Sequence, residues 1–65
     1  MESSVLQPLL LTPVEAARRL SIARSSLYEL LLTREIVSLK IGRSRRVPLA
    51  ALTEYIDRKV REQGA

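Results

Sequence analysis

Between two stretches of helical periodicity the chain carries Val37 to Pro48, V-S-L-K-I-G-R-S-R-R-V-P. One glycine at the centre, apolar residues on both sides and a closing proline interrupt helical periodicity and read as a hairpin. The same run holds Lys40, Arg43, Arg45 and Arg46 and no acidic residue. The chain as a whole carries +4, and outside this segment the remaining seven basic residues balance all seven acidic ones. The net charge is therefore concentrated at one turn. That is the electrostatic footprint of a polyanion-binding site, although a solvated hairpin kept soluble by arginines has the same composition.

What can surround such a hairpin is narrowly bounded. Sixty-five residues make one domain, and a chain of that size buries only about 60% of its unfolded surface. There is no cysteine and no histidine, so disulfide staples, thiolate or imidazole metal sites and the usual general base are all missing. The acids are scattered, and no cofactor motif is present. Catalysis is not expected, and neither a catalytic nor a metal-binding residue is assigned. No apolar run approaches the ~20 residues of a membrane span, and Met-Glu-Ser-Ser lacks a basic leader. These features lead to the expectation of a cytoplasmic binding protein with no membrane partner.

Upstream, Thr12-Pro13-Val14-Glu15 is a helix start. The Thr12 hydroxyl can cap, Pro13 suits the first helical position, Glu15 completes a capping box, and Leu11 can pack on Ala16 as a staple. Residues 1–8 read as a tail. Val14, Ala17 and Leu20 are expected on one apolar face with Ala16 beside them, and Arg18 and Arg19 on the other. Ser21-Ile22-Ala23 interrupts the pattern, and Arg24 to Leu32 resume it with Leu27, Leu30 and Leu31 inward. Two short helices with a three-residue turn make a helix-turn-helix, or an ordinary helical hairpin used for packing; periodicity alone admits both.

In the basic segment a three-residue loop of Gly42-Arg43-Ser44 would set Leu39 opposite Val47 and Lys40 opposite Arg46. That register keeps one apolar and one basic face, with Leu39, Ile41 and Val47 inward, and is the one expected. Pro48 opens a last helix whose stripe Leu49, Leu52, Ile56 and Val60, flanked by Tyr55, is expected to be consumed by the core. The charged end after Asp57 is expected to fray. The predicted fold is therefore mainly helical with one small β-hairpin, a winged helix-turn-helix over residues 9–62 between an N-terminal tail (1–8) and a C-terminal tail (63–65).

With that order in place, L-L-T-P-V-E-A-A-R-R-L-S-I-A-R-S-S-L-Y-E-L-L followed by L-K-I-G-R-S-R-R-V-P-L-A-A-L-T-E-Y-I resembles the excisionase family of MerR-like winged-helix DNA-binding domains, over about residues 10 to 57. The resemblance implies duplex DNA as partner, at an attachment site or an operator. It implies that Arg24 reads a base, Ser25 and Ser26 meet phosphate or base edges, and Tyr28 donates to a phosphate. Arg43, Arg45 and Arg46 match the family's basic wing, with Ser44 at its tip and Lys40 assisting by charge. Two departures stand out: Ala23 occupies a position commonly held by a capping serine, and Thr33-Arg34 stand where glycine is common. The implied role is a recombination directionality factor that bends attachment-site DNA, assembles on it with further copies and directs a phage integrase towards excision. A small promoter-binding regulator of the same fold is the alternative, and a basic protein-interaction adaptor is a reading from another class. A monomeric free protein is expected, on the premise that the core uses up the apolar stripe.

Overall fold

The computed structural model describes residues 9–64. The tail at residues 1–8 and the terminal Ala65 lie outside the described residues. Six elements follow in order: β1 (Leu10–Leu11), α1 (Pro13–Leu20), α2 (Arg24–Leu32), β2 (Leu39–Ile41), β3 (Ser44–Pro48) and α3 (Leu49–Gln63). The helix pair, the antiparallel hairpin and the closing helix make a winged helix-turn-helix.

α1 starts where its capping box dictates. The Glu15 amide donates to the Thr12 hydroxyl at 3.1 Å, and the Thr12 amide donates to the Glu15 carboxylate at 3.0 Å. Those bonds satisfy two amides that a helix start leaves without partners. Donation from the Thr12 backbone, more than any other contact, holds the Glu15 carboxyl below its ordinary pKa. The helix stops at Ser21, which adopts a left-handed conformation (φ 58°) and donates back to Ala17 and Arg18. Ala16 and Ala17 are both buried, and side chains this small let the backbone of α1 approach its neighbours closely. Val14 points aside and is 37% exposed, so Pro13, Ala16, Ala17 and Leu20 form the inner face and Val14 is not part of it.

Leu11, Ala16, Ala17, Leu27, Ile36, Val47 and Leu52 form the core, with Leu20, Ile22, Leu30, Leu31, Leu49, Ala51 and Tyr55 packed around it. Leu11 reaches the core from β1, the strand that the Leu9-Leu10-Leu11 run forms against β3, with Leu10 opposite Pro48 and Leu11 opposite Val47. The sheet order is β1-β3-β2, so β3 is central and Val47 on it is fully buried.

The hairpin corrects the expected register. Leu39 lies opposite Arg46, Lys40 opposite Arg45 and Ile41 opposite Ser44, around a two-residue turn of Gly42 and Arg43. Gly42 has φ +61°, while Arg43 is not among the positive-φ residues. Glycine at the first central position is the type II′ arrangement, whose twist suits the flanking strands. The faces are mixed in consequence: Leu39 and Ile41 share one with Ser44 and Arg46, and Lys40 shares the other with Arg45. Leu39 and Ile41 are consequently 37% and 53% exposed and not inward. Only Val47, of the three expected, enters the core.

α3 corrects two further expectations. Its inward residues are Leu49, Leu52 and Tyr55, whereas Ile56 and Val60 are 46% and 62% exposed. A helix of 15 residues is about 22 Å long at 1.5 Å per residue and extends past so small a core. Nor does the charged end fray: the helix continues to Gln63, and Gly64 caps it by donating to the Val60 carbonyl. Arg58 and Lys59 lie over the Tyr55 ring, each 5.6 Å from its centroid, and both pair with Glu35 at 3.6 Å. Arg58 also donates to the Glu35 carbonyl. Exposed pairs are individually weak. Together they fasten the end of α3 to the connection between α2 and β2.

Candidate nucleic-acid interface

α2 carries the residues expected to meet DNA, and its geometry sorts them. Leu27 is fully buried and Leu30 and Leu31 are half-buried, which turns Ser25, Glu29 and Leu32 outward at helical spacing. Arg24 and Tyr28 flank that outward stripe on the wing side. Ser26 flanks it on the other side, where it and the neighbouring Glu29 line a groove of about 640 Å³ between α2 and α3 together with Tyr55, Ile56, Lys59 and Val60. Ser25 and Ser26 are therefore not equivalent.

The N-terminus of α2 has no side-chain cap, since Ala23 supplies no oxygen, and its first turn holds no acid. Arg24 occupies the first helical position, where the helix dipole disfavours a cation. Uncapped amides beside a guanidinium are the arrangement that an anion satisfies.

On the wing side, Tyr28 and Leu32 of α2, Arg34, Val37 and Ser38 of the connection, and Arg45 of β3 line a second hollow of about 570 Å³. Arg45 donates to the Ser38 hydroxyl at 2.8 Å, which orients its guanidinium across the hollow. Lys40 shares its face, and Arg43 is exposed at the tip. Arg46 stands on the opposite face, half-buried, and donates to the Arg45 carbonyl at 3.1 Å. Ser44 is half-buried beside it. The structure thus brings Tyr28 and Arg45 to one hollow, with Arg24 one helical turn before Tyr28 and Lys40 on the face of Arg45, and sets Ser26, Ser44 and Arg46 apart from them.

Arg34 belongs to this surface and was not foreseen. It stands in the left-handed region (φ 63°), one of the two positions where glycine was noted as missing. The sequence signal was that very absence: an arginine at a glycine position. Among the described residues, no group of histidine, cysteine, aspartate and glutamate could hold a metal ion, and no helix is long and apolar enough to cross a membrane.

The comparisons with known proteins agree with this geometry. A family profile described as a helix-turn-helix domain matches residues 10–60. A probable excisionase of Saccharopolyspora erythraea is 43% identical over 56 residues, covering 86% of this chain and 57% of the relative, so the chain spans little more than half that protein's length. An excisionase of Streptomyces ambofaciens is 39% identical over 59 residues, covering 91% of this chain and 95% of the relative. No solved structure gives a significant match. With a helix-turn-helix profile over most of its length and an excisionase matched nearly end to end, the chain belongs to the excisionase family of helix-turn-helix proteins.

Proposed function

We propose that the protein is a recombination directionality factor: it binds attachment-site duplex DNA, bends it, and directs an integrase towards excision. α2 enters the major groove with Arg24 at a base edge, while Tyr28, Lys40, Arg43 and Arg45 meet the backbone beside it. The observation that carries this reading is the shared hollow, where Tyr28 of the helix and Arg45 of the wing face one space. A helix and a wing facing one space can grip one duplex together. Arg46 and Ser44, on the far face of the wing, and Ser26, beside the α2–α3 groove, contribute less than the resemblance implies. One recognition helix covers only a short site, so assembly of several copies on neighbouring sites belongs to the same proposal.

The test is titration of duplex DNA at several salt concentrations, with single strands as competitor. Three to four phosphates neutralised by Lys40, Arg43 and Arg45, with Arg34 beside them, give a slope of log K against log salt of about −3 to −4, at −0.9 per contact. A flat salt response, or equal affinity for single strands, refutes the helix-and-wing grip. Excision of a paired attachment-site substrate by integrase, with and without the protein, then separates a directionality factor from a promoter-binding regulator.

A further inference from the structure

The outward stripe of α2 lacks the chemistry of a phosphate-binding surface. Ser25, Glu29 and Leu32 recur at four- and three-residue spacing opposite the buried Leu27. Leu32 is 81% exposed. Glu29 is exposed, and among the described residues no cation pairs with it. The cations placed at the DNA stand to one side, Arg24 at the start of α2, Arg34 past its end, and Lys40, Arg43 and Arg45 on the wing; Lys59, across the α2–α3 groove that Glu29 borders, is engaged with Glu35 and Glu62 instead. A helix meant only to hold the backbone would gain nothing from an unpaired carboxylate and an apolar side chain on its leading face. Near phosphates the carboxylate is repelled, and that cost is offset only where it accepts a hydrogen bond that other bases cannot give. In the major groove the cytosine N4 amino group is a donor suited to a carboxylate, and the thymine 5-methyl is the apolar group available to a leucine.

We propose that Glu29 and Leu32 determine base specificity, Glu29 by accepting from a cytosine N4 amino group and Leu32 by covering a thymine 5-methyl group. The three-residue step between them is about 4.5 Å along the helix axis, which sets the two bases one or two steps apart on the duplex. This rests on the reading that α2 lies in the major groove, and it assigns to the helix a pyrimidine-reading edge distinct from Arg24.

The experiment selects tight binders from a pool of randomised duplexes with the full chain and with Glu29→Ala, Glu29→Gln and Leu32→Ala. Affinities are then measured on the selected duplex, on versions with the cytosine pair replaced, and on one with thymine replaced by deoxyuridine. Both positions are exposed and alanine favours helix, and far-UV circular dichroism confirms that the variants are folded. The wild type is expected to prefer cytosine at one pair by about tenfold, and to lose about fourfold on removal of the thymine methyl group. Glu29→Ala should flatten the cytosine preference while binding unselected duplexes more tightly, because a negative charge leaves the phosphate neighbourhood. Glu29→Gln should move the preference towards adenine, and Leu32→Ala should abolish the deoxyuridine effect alone. Unchanged base preference in Glu29→Ala, or indifference of the wild type to deoxyuridine, overturns the corresponding assignment. Absence of duplex binding by the wild type is a different outcome and brings down the major-groove reading itself.

Discussion

Replacing Arg34 by glycine should stabilise the protein, although it removes a large side chain. Arg34 follows the end of α2 with φ 63°, and it donates its amide to the Leu31 carbonyl at 3.2 Å. This left-handed residue reverses the chain so that Ile36 can donate to the Leu30 carbonyl and enter the core, where it is 1% exposed. A residue with a Cβ pays roughly 1–2 kcal/mol to stand there. Glycine removes that strain but gains freedom in the unfolded chain worth roughly 0.4–1 kcal/mol. The difference favours the variant by about 0.5–1 kcal/mol. The guanidinium forms no ion pair among the described residues, so its loss subtracts little.

For a domain of this size 1 kcal/mol corresponds to roughly 4–8 °C in Tm, so thermal unfolding followed by circular dichroism should show a gain of about 2–8 °C. Arg34→Ala is the control. It removes the same charge but keeps the Cβ and therefore the strain, and it should show no such gain. An Arg34→Gly protein that melts at or below the wild-type temperature, or an Arg34→Ala protein that gains as much, refutes the strain argument.

Three further outcomes follow from the fold. Acidification should loosen the start of α1: because the folded pKa of Glu15 is lowered, its contribution is complete above the unfolded glutamate value of about 4.3 and is lost as pH falls through the lower folded value. The decline of Tm in that acid range should therefore be shallower in Glu15→Gln than in the wild type. Leu52→Ala should cost about 2–5 kcal/mol, whereas Val60→Ser on the same helix should stay within about 0.5 kcal/mol; equal losses in denaturant titration would restore Val60 to the core. Gly42→Ala should destabilise through backbone strain alone, by about 1–2 kcal/mol, since a Cβ there meets nothing within 4 Å, and a Tm equal to wild type would contradict the turn type.

Where the sequence carried local chemistry, the fold could be read from it. The Thr12 and Glu15 capping box, both bounds of α2, the glycine-centred hairpin and the helix after Pro48 all announce themselves through residues that act within a few positions of one another. What escaped depends on contacts distant in sequence. Leu10–Leu11 becomes a strand only because β3 offers it a partner, and Ile36 becomes core only because the turn at Arg34 folds it back. The α3 stripe was read from periodicity, which identifies a helical face but not how far the core extends beneath it; Tyr55 took the place assigned to Ile56. At the candidate site the charge concentration was legible, and so was the departure at Ala23. The division of Ser25 from Ser26, and of Arg45 from Arg46, was not, because it follows from helix rotation and strand register.

The observed register, with Leu39 opposite Arg46, identifies which force sets the wing. A hairpin whose face is buried has its pairing chosen by the hydrophobic pattern, and the expected register applied that rule. All three residues of β2 are exposed, however, so for this strand the core exerts no preference. The type II′ turn at Gly42 and the ladder against β3 decide instead, and β3 is anchored separately by Val47 and by its pairing with β1. Lys40, Arg43 and Arg45 therefore sit on a hairpin whose position is fixed from behind, by Val47 and the β1 pairing, and not by the exposed residues of β2. In α2 the two demands fall on one helix, but on opposite faces, with Leu27 held to the core and Ser25, Glu29 and Leu32 turned away from it. In both halves of the surface the outward side chains are thus distinct from those that fill the core, so the proposed DNA contacts can be substituted there at little cost to it; Arg34, whose left-handed backbone turns Ile36 inward, is the exception.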